Sequence, residues 1–405
     1  MIIDGPASAN YDVDLGAYPI NDWYYTPAFT LEPLIRHGFY PRGRPPGDNI
    51  LINGTNVNPR GGANNGTYSK VKLTKGKKYR LRLINTSTND NFKVGLDNHT
   101  MQVIAADFVP LKGTFTTQWL LLAIGERYDV IINANQNVDS YWFHVVPQSG
   151  CSNNLNTNAL SIFTYDGAPS NSTPPAAMKT NAPAGADCND PNAQLTPYVK
   201  LNVPQTGPVP NNTNLNVGFV VTQDNNSITT LQWTLNFTAI QAPWNKPTVQ
   251  MVREGDFNFA PSMNVITLPG NNSWSIWVIQ AVPTIAPPIP HPIHLHGHDF
   301  YILGAGTGIF NNTQPLQYVN PPRRDVAMLP ASGYLVLAFI TDNPGAWLMH
   351  CHIAWHIGLG LGAQFLERAS EIPSLPGFND DWTNQCATWN KYYQTAPYKL
   401  EDSGL

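Results

Sequence analysis

Apolar and polar residues alternate in short runs along most of the 405-residue chain, and the runs are closed by Gly, Pro, Asn or Asp. Successive side chains on a strand point to opposite faces, so a period of two predicts strands buried on one side. The stretch "YSKVKLTKGKKYRLRLINTS" predicts a hairpin in which Val71 and Leu73 face Tyr79, Leu81 and Leu83, and "RYDVIINA", "SYWFHVV" and "LSIFTY" continue the series to Tyr165. Between 166 and 198 the period gives way to Pro, Ala, Asn and Ser, the composition of a linker. Beyond it, "TLQWTLNFTAI", "SWSIWVIQAV", "HDFYILG", "GYLVLAFIT" and "AWLMHCHI" read as further strands. The expectation is an all-β protein of two antiparallel sandwich or barrel domains, 1–165 and 199–405, with one short helix around "DDWTNQCATWNKYY" near the end.

Composition supports short strands joined by turns: there are 36 prolines and 31 glycines, and only 12% of residues are charged. A net charge of −4 with no lysine or arginine run argues against nucleic acid or an anionic membrane surface as partner. No apolar run approaches the length of a membrane-spanning helix. Asn-x-Ser/Thr acceptors at Asn53, Asn65, Asn85, Asn98, Asn171, Asn211, Asn225, Asn236, Asn271 and Asn311 point to an extracellular glycoprotein. The opening "MIIDGPASANYDVDL" holds neither the basic nor the apolar segment of a secretory signal, so the expectation is a secreted protein whose signal is absent from this chain.

Seven of the ten histidines fall in two clusters, "HPIHLHGH" at 291–298 and "LMHCHIAWHIGLGL" at 348–361. On a strand, His350 and His352 point one way and Cys351 the other, so one strand can serve two sites. Cys351, His356 and His291 together supply one thiolate and two imidazoles, the donor set of a trigonal blue-copper centre. Leu361, ten residues after Cys351, stands at the axial position and cannot ligate, which predicts a high reduction potential. His294 and His296 share the two-residue spacing and join His350 and His352 at a second locus. Histidines without carboxylates suit copper or zinc, and the link through Cys351 favours copper, with the electron passing from Cys351 to His350 or His352.

Other residues near these clusters have structural readings. His298 is expected to be a hydrogen-bonded support, His144 a packed strand residue, and His37 and His99 loop residues. Met349, Trp355, Trp347 and Phe365 are expected to pack, and Arg323 and Arg324 to pair with carboxylates. Cys151 and Cys188 are placed to form a disulfide across the linker, which leaves Cys386 over.

The motifs "HPIHLHGHDF", "NPPRRD", "TDNPGAWLMHCHIAWHIGLGL" and the terminal "DSGL" resemble the carboxyl-terminal half of a fungal laccase of the multicopper oxidase family. The segments "DGPASANYDVDLG", "DNILINGT", "LRLINTST" and "NHTMQVIAADFVP" resemble its second domain, so the likeness covers essentially the whole chain. The resemblance implies two cupredoxin-like Greek-key domains. It implies type 1 copper on His291, Cys351 and His356, type 2 copper on His294, and a type 3 pair on His296, His350 and His352. It further implies one-electron oxidation of phenols or aromatic amines coupled to reduction of dioxygen to water, in a protein that is monomeric when full length. The substrate-pocket carboxylate of the family falls at Asn89 in "STNDNF", with Asp90 beside it. The family's first domain, which supplies two further His-x-His pairs and a partner for the cysteine matching Cys386, has no counterpart, so the chain is expected to be a truncated form. The alternatives are an electron-transfer module holding type 1 copper without oxygen reduction and, less favoured, a ferroxidase or ascorbate oxidase.

Overall fold

The computed structural model describes residues 2–3, 5–40, 44–58, 65–169, 188–377 and 380–397. Positions 170–187 of the expected linker, the acceptor Asn171 and the terminal four residues lie outside them. Two pairs of sheets stack along the chain. In the first pair, one sheet is ordered Asn49–Ile52, Val13–Trp23, Lys78–Asn85, Arg127–Asn133, Met101–Ala106, Val109–Pro110, and the other Lys70–Leu73, Ala159–Tyr165, Ser140–Pro147, Phe92–Leu96, Leu120–Leu122. Tyr18, Leu81, Leu83, Val130, Phe143 and Phe163 fill the space between them. In the second pair, one sheet is ordered Thr229–Leu235, Asn214–Gln223, Trp274–Ala281, Gly333–Ile340, Phe300–Thr307, Arg323–Arg324. Its companion runs Val265–Thr267, Gly362–Glu367, Gly345–Cys351, His291–Leu295, Val326–Leu329. The helix expected near the end spans Asp380–Thr395.

Two expectations are corrected. The hairpin does not form: Lys70–Leu73 pairs with Ala159–Tyr165 in one sheet, whereas Lys78–Asn85 pairs with Val13–Trp23 and Arg127–Asn133 in the other. The chain arches from sheet to sheet at Thr74–Lys77, so Val71 and Leu73 meet Tyr79, Leu81 and Leu83 across the core. Alternation assigns the inward face in either arrangement and cannot tell hairpin from arch. Nor are the sheets purely antiparallel. Val13–Trp23 runs parallel to Lys78–Asn85, Lys70–Leu73 to Ala159–Tyr165, Asn214–Gln223 to Trp274–Ala281, and Val265–Thr267 to Gly362–Glu367. Each parallel pair is closed by a long connection that leaves the sheet, which local patterning does not report.

The halves also share material. The helix Ala28–Arg36, unannounced by the strand pattern, buries Leu31 and Ile35 in the second core beside Trp233 and Leu235. Burying side chains of this size contributes about 1.5–3 kcal/mol each. Residues 188–198 are tied to the first half: Cys188 is bridged to Cys151, Leu195 lies in the first core, and the Lys112 N–H donates to the Thr196 carbonyl at 2.9 Å.

For the site, what matters is the second five-stranded sheet. His291–Leu295 lies between Gly345–Cys351 and Val326–Leu329, in a register that sets Ile293 opposite Cys351 and His294 opposite both His350 and Val326.

Candidate metal centres

Cys351 ends its strand, and the chain turns at once into the single-turn helix Ala354–Ile357, which brings His356 back against it. The Sγ of Cys351 lies 3.6 Å from Nδ1 of His291 and 3.6 Å from Nδ1 of His356, and the two nitrogens are 3.2 Å apart. All three residues are buried, and the Trp233 ring packs on both imidazoles, with centroids 4.5 Å from His356 and 5.0 Å from His291. Burial pushes His291 down to about 3 and holds His356 well below the ordinary imidazole range, in both cases with help from the Arg44 charge. Burial likewise pushes the Cys351 thiol up. Two neutral imidazoles and one thiol thus aim their donor atoms at a common point in an apolar setting, where polar atoms left without a partner are costly. One ion that accepts two imidazole nitrogens and one thiolate satisfies all three, and that donor set fits copper. Leu361 is buried in the same apolar cluster as Cys351 and brings no donor atom.

On the other side of the strand, Nε2 of His296 lies 3.3 Å from Nε2 of His350. The donor atoms of His294, His296 and His350 fall within 4.8 Å of one another. His352 is placed differently from the strict alternation expected of it, because the strand stops at Cys351. From the bend beyond, its ring still reaches 5.6 Å from His350 and 5.7 Å from His294. Nδ1 of His294 donates to the Asp325 carbonyl at 2.6 Å, and Nδ1 of His350 to the Cys351 carbonyl at 2.9 Å. Each bond leaves Nε2 as the lone-pair nitrogen, the tautomer a metal requires. Burial pushes His294 and His352 down to about 4 and His350 to about 3, so all three are neutral at neutral pH with a lone pair to offer. His296 is exposed, and the cluster opens on a cleft of about 550 Å³ lined by Phe108, Asp299, Arg323 and Trp347.

The remaining imidazoles are engaged elsewhere. His298 bonds Glu367 at 2.8 Å, His144 bonds Asp97 at 3.0 Å, His99 lies between the Asp97 carbonyl and the Tyr165 hydroxyl, and His37 bonds the Thr229 carbonyl. Arg323 lies 3.5 Å from Asp299, and Arg324 is buried between Asp107 and Glu126, 2.8 Å from each. Cys386 is a free thiol. Asn85 cannot carry a glycan, because it is buried with its amide donating to the carbonyls of Asp90 and Leu122.

Asn89 and Asp90, expected at a substrate pocket, have no exposed surface in this chain. The Asp90 carboxylate is occupied by the Asn153 N–H and the side-chain amides of Asn89 and Asn154. The opening beside the Cys351 site is a cavity of about 610 Å³ lined by Tyr40, Arg44, Phe219, Leu231, Trp233 and Ile289, and it includes neither residue. Sequence reasoning missed Trp233 and Arg44, which lie in strand and loop contexts with nothing to mark them, and it missed Asp325, whose backbone carbonyl rather than its carboxylate holds His294.

Two family models described as multicopper oxidase match the chain, one over residues 16–168 and one over 229–371. The chain is 50% identical over 376 residues to Laccase-3 of Botryotinia fuckeliana, covering 90% of this chain and 80% of that protein. It is 43% identical to Laccase-2 of Podospora anserina and 43% identical to the laccase of Neurospora crassa, in full-length matches that span 66% and 65% of those proteins. The crystal structure of the laccase from Botrytis aclada superimposes on all of this chain and 73% of that one, with a TM-score of 0.87 and 37% identity. Fet3p, a multicopper oxidase that functions in iron import, shares the fold with a TM-score of 0.78 at 20% identity, over 96% of this chain and 72% of that one.

Proposed function

This chain belongs to the multicopper oxidase family, and we propose that it is the copper-bearing part of a laccase-type enzyme that oxidises phenols or aromatic amines and reduces dioxygen to water. In this reading His291, Cys351 and His356 hold type 1 copper, His294 holds type 2 copper, and His296, His350 and His352 hold the type 3 pair. Copper supplies one-electron redox chemistry at the first site and dioxygen binding and reduction at the second. The single observation that carries the proposal is the placement of Cys351 in one site and its two chain neighbours, His350 and His352, in the other. An electron entering at Cys351 has only the adjoining backbone to cross.

Trp233 and Phe219 give the cavity beside His291 and His356 an aromatic wall that suits a planar phenol, and Leu361 favours strong oxidants by withholding a donor. The two halves, 1–165 and 199–405, are proposed to be the family's second and third domains. The four-histidine cluster is half of a ligand shell: its face opens on a cleft, and the chain's other imidazoles are committed elsewhere. The opposing imidazoles are therefore assigned to a further domain, and the setting of the whole to outside the cell. The open face also favours a second reading, in which this chain by itself exchanges electrons at type 1 copper and consumes no dioxygen.

Copper content, blue absorption and oxygen uptake on a phenol test both. One blue copper without oxygen uptake, gaining uptake when the missing imidazole pairs are supplied, fits the proposal. Absence of a blue centre in the copper-loaded chain defeats it.

A further inference from the structure

The four-histidine cluster lies wholly in the second half, yet the first half holds it in place. Arg127 of the strand Arg127–Asn133 reaches across to the Asp325 carboxylate, with Nη1 to Oδ1 at 2.5 Å and Nη2 to Oδ2 at 2.6 Å. Asp325 directly precedes Val326–Leu329, and its carbonyl accepts both Nδ1–H of His294 at 2.6 Å and the N–H of Leu295 at 3.2 Å. Arg127 is fixed in turn: its own N–H donates to Asp107 at 2.8 Å, Nη1 donates to the Gly125 carbonyl at 3.0 Å, and the Phe108 ring covers the guanidinium at 4.7 Å. Beside it, buried Arg324 ties Asp107, Glu126 and the Tyr128 hydroxyl together.

A second contact acts in the same sense. Gly125 has φ +81°, in the left-handed region, and a Cβ there would fall 2.5 Å from the His352 ring. The glycine lets the first half press directly on that imidazole.

We infer that Arg127 is a positioning residue for the histidine cluster: by gripping both oxygens of Asp325 it holds the carbonyl that selects the Nδ1–H tautomer of His294 and turns Nε2 inward. A two-pronged grip fixes the plane and direction of the aspartate, which a single point charge does not. The inference rests on the proposed reading of His294 as a copper ligand.

The test uses the full chain with Arg127→Gln and Arg127→Lys. Nitrogen NMR on the copper-free protein reports the His294 tautomer, and titration with copper(II), followed by the non-blue paramagnetic signal beside the blue absorption, reports the two sites separately. In Arg127→Gln the single tautomer is lost and non-blue copper affinity falls about ten- to a hundredfold, the usual effect of removing a ligand's support, while the blue band stays. Arg127→Lys falls between it and the wild type. An unchanged tautomer and affinity in Arg127→Gln overturns the inference, and so does a parallel loss of the blue band. If the wild type takes up blue copper alone, the half-built cluster needs the opposing imidazoles before it holds copper, and the tautomer comparison alone decides what Arg127 does: an unchanged tautomer in Arg127→Gln overturns the inference.

Discussion

Cys351 and His291 stand with Sγ and Nδ1 3.6 Å apart, and neither residue has any surface open to solvent. A thiol so placed ionises only when a cation takes the proton's place, so under the proposed reading copper binding here is expected to release a proton.

Cys351→Ser keeps the volume and removes the thiolate. The blue absorption of the copper-loaded protein is expected to vanish while the far-ultraviolet dichroism stays, with about 1–3 kcal/mol lost to the buried hydroxyl. Absorption spectra and urea midpoints check this, and a residual blue band would show that another residue is the sulfur ligand.

Leu361→Met brings a thioether into the apolar cluster around Cys351. A weak axial donor stabilises the oxidised ion, so the reduction potential of the blue centre is expected to fall. The swap conserves volume and is expected to cost less than about 1.5 kcal/mol of stability. A redox titration followed at the blue band, compared with thermal unfolding, separates the two effects.

His298→Ala tests the reading that this histidine, inside the motif, supports the fold rather than binding metal. Its Nε2 meets the fully buried Glu367 carboxylate at 2.8 Å, so the variant strands that group and is expected to lose about 1–3 kcal/mol. Copper stoichiometry should not change. A loss of one copper with unaltered stability would reverse the assignment.

Asp22 gives a pH signature. Burial, and then the neighbouring Asp90 charge, raise its carboxyl to about 7 from an ordinary value of 3.8. The folded state therefore holds this proton more tightly than the unfolded chain. The resulting stabilisation is complete below about pH 4, is lost as pH rises through 7, and amounts to at most about 4 kcal/mol. Relative to Asp22→Asn, the wild type should lose stability between pH 4 and 7, as measured by urea midpoints. A constant difference across that range would mean that Asp22 is ionised throughout.

The parts of this molecule that were legible in the sequence are those in which one segment carries its own instruction. The short apolar run "GYLVLAFIT" marks a strand buried on both faces, and it became Gly333–Ile340, buried at every position but the last. The neighbours His350 and Cys351 fall in separate clusters because adjacent strand residues face opposite ways, whereas His352 comes back beside His350 from the bend beyond the strand. Where two segments had to agree, the sequence was silent. The arch at Thr74–Lys77 has the same inward residues as a hairpin, and the arginine that steadies His294 is 167 positions from it. Asn89 and Asp90 show the limit from the other side: a place in a motif says nothing of exposure, and both are buried, with the Asp90 carboxylate held by Asn89, Asn153 and Asn154.

The helix Ala28–Arg36 gives the molecule a spatial boundary that does not coincide with its boundary along the chain. Leu31 and Ile35 cap the second core, so a fragment cut at the linker would leave that core unroofed beside Trp233. The second half is therefore not a cassette that can be lifted out and grafted elsewhere; any transplant has to carry residues 28–36 with it.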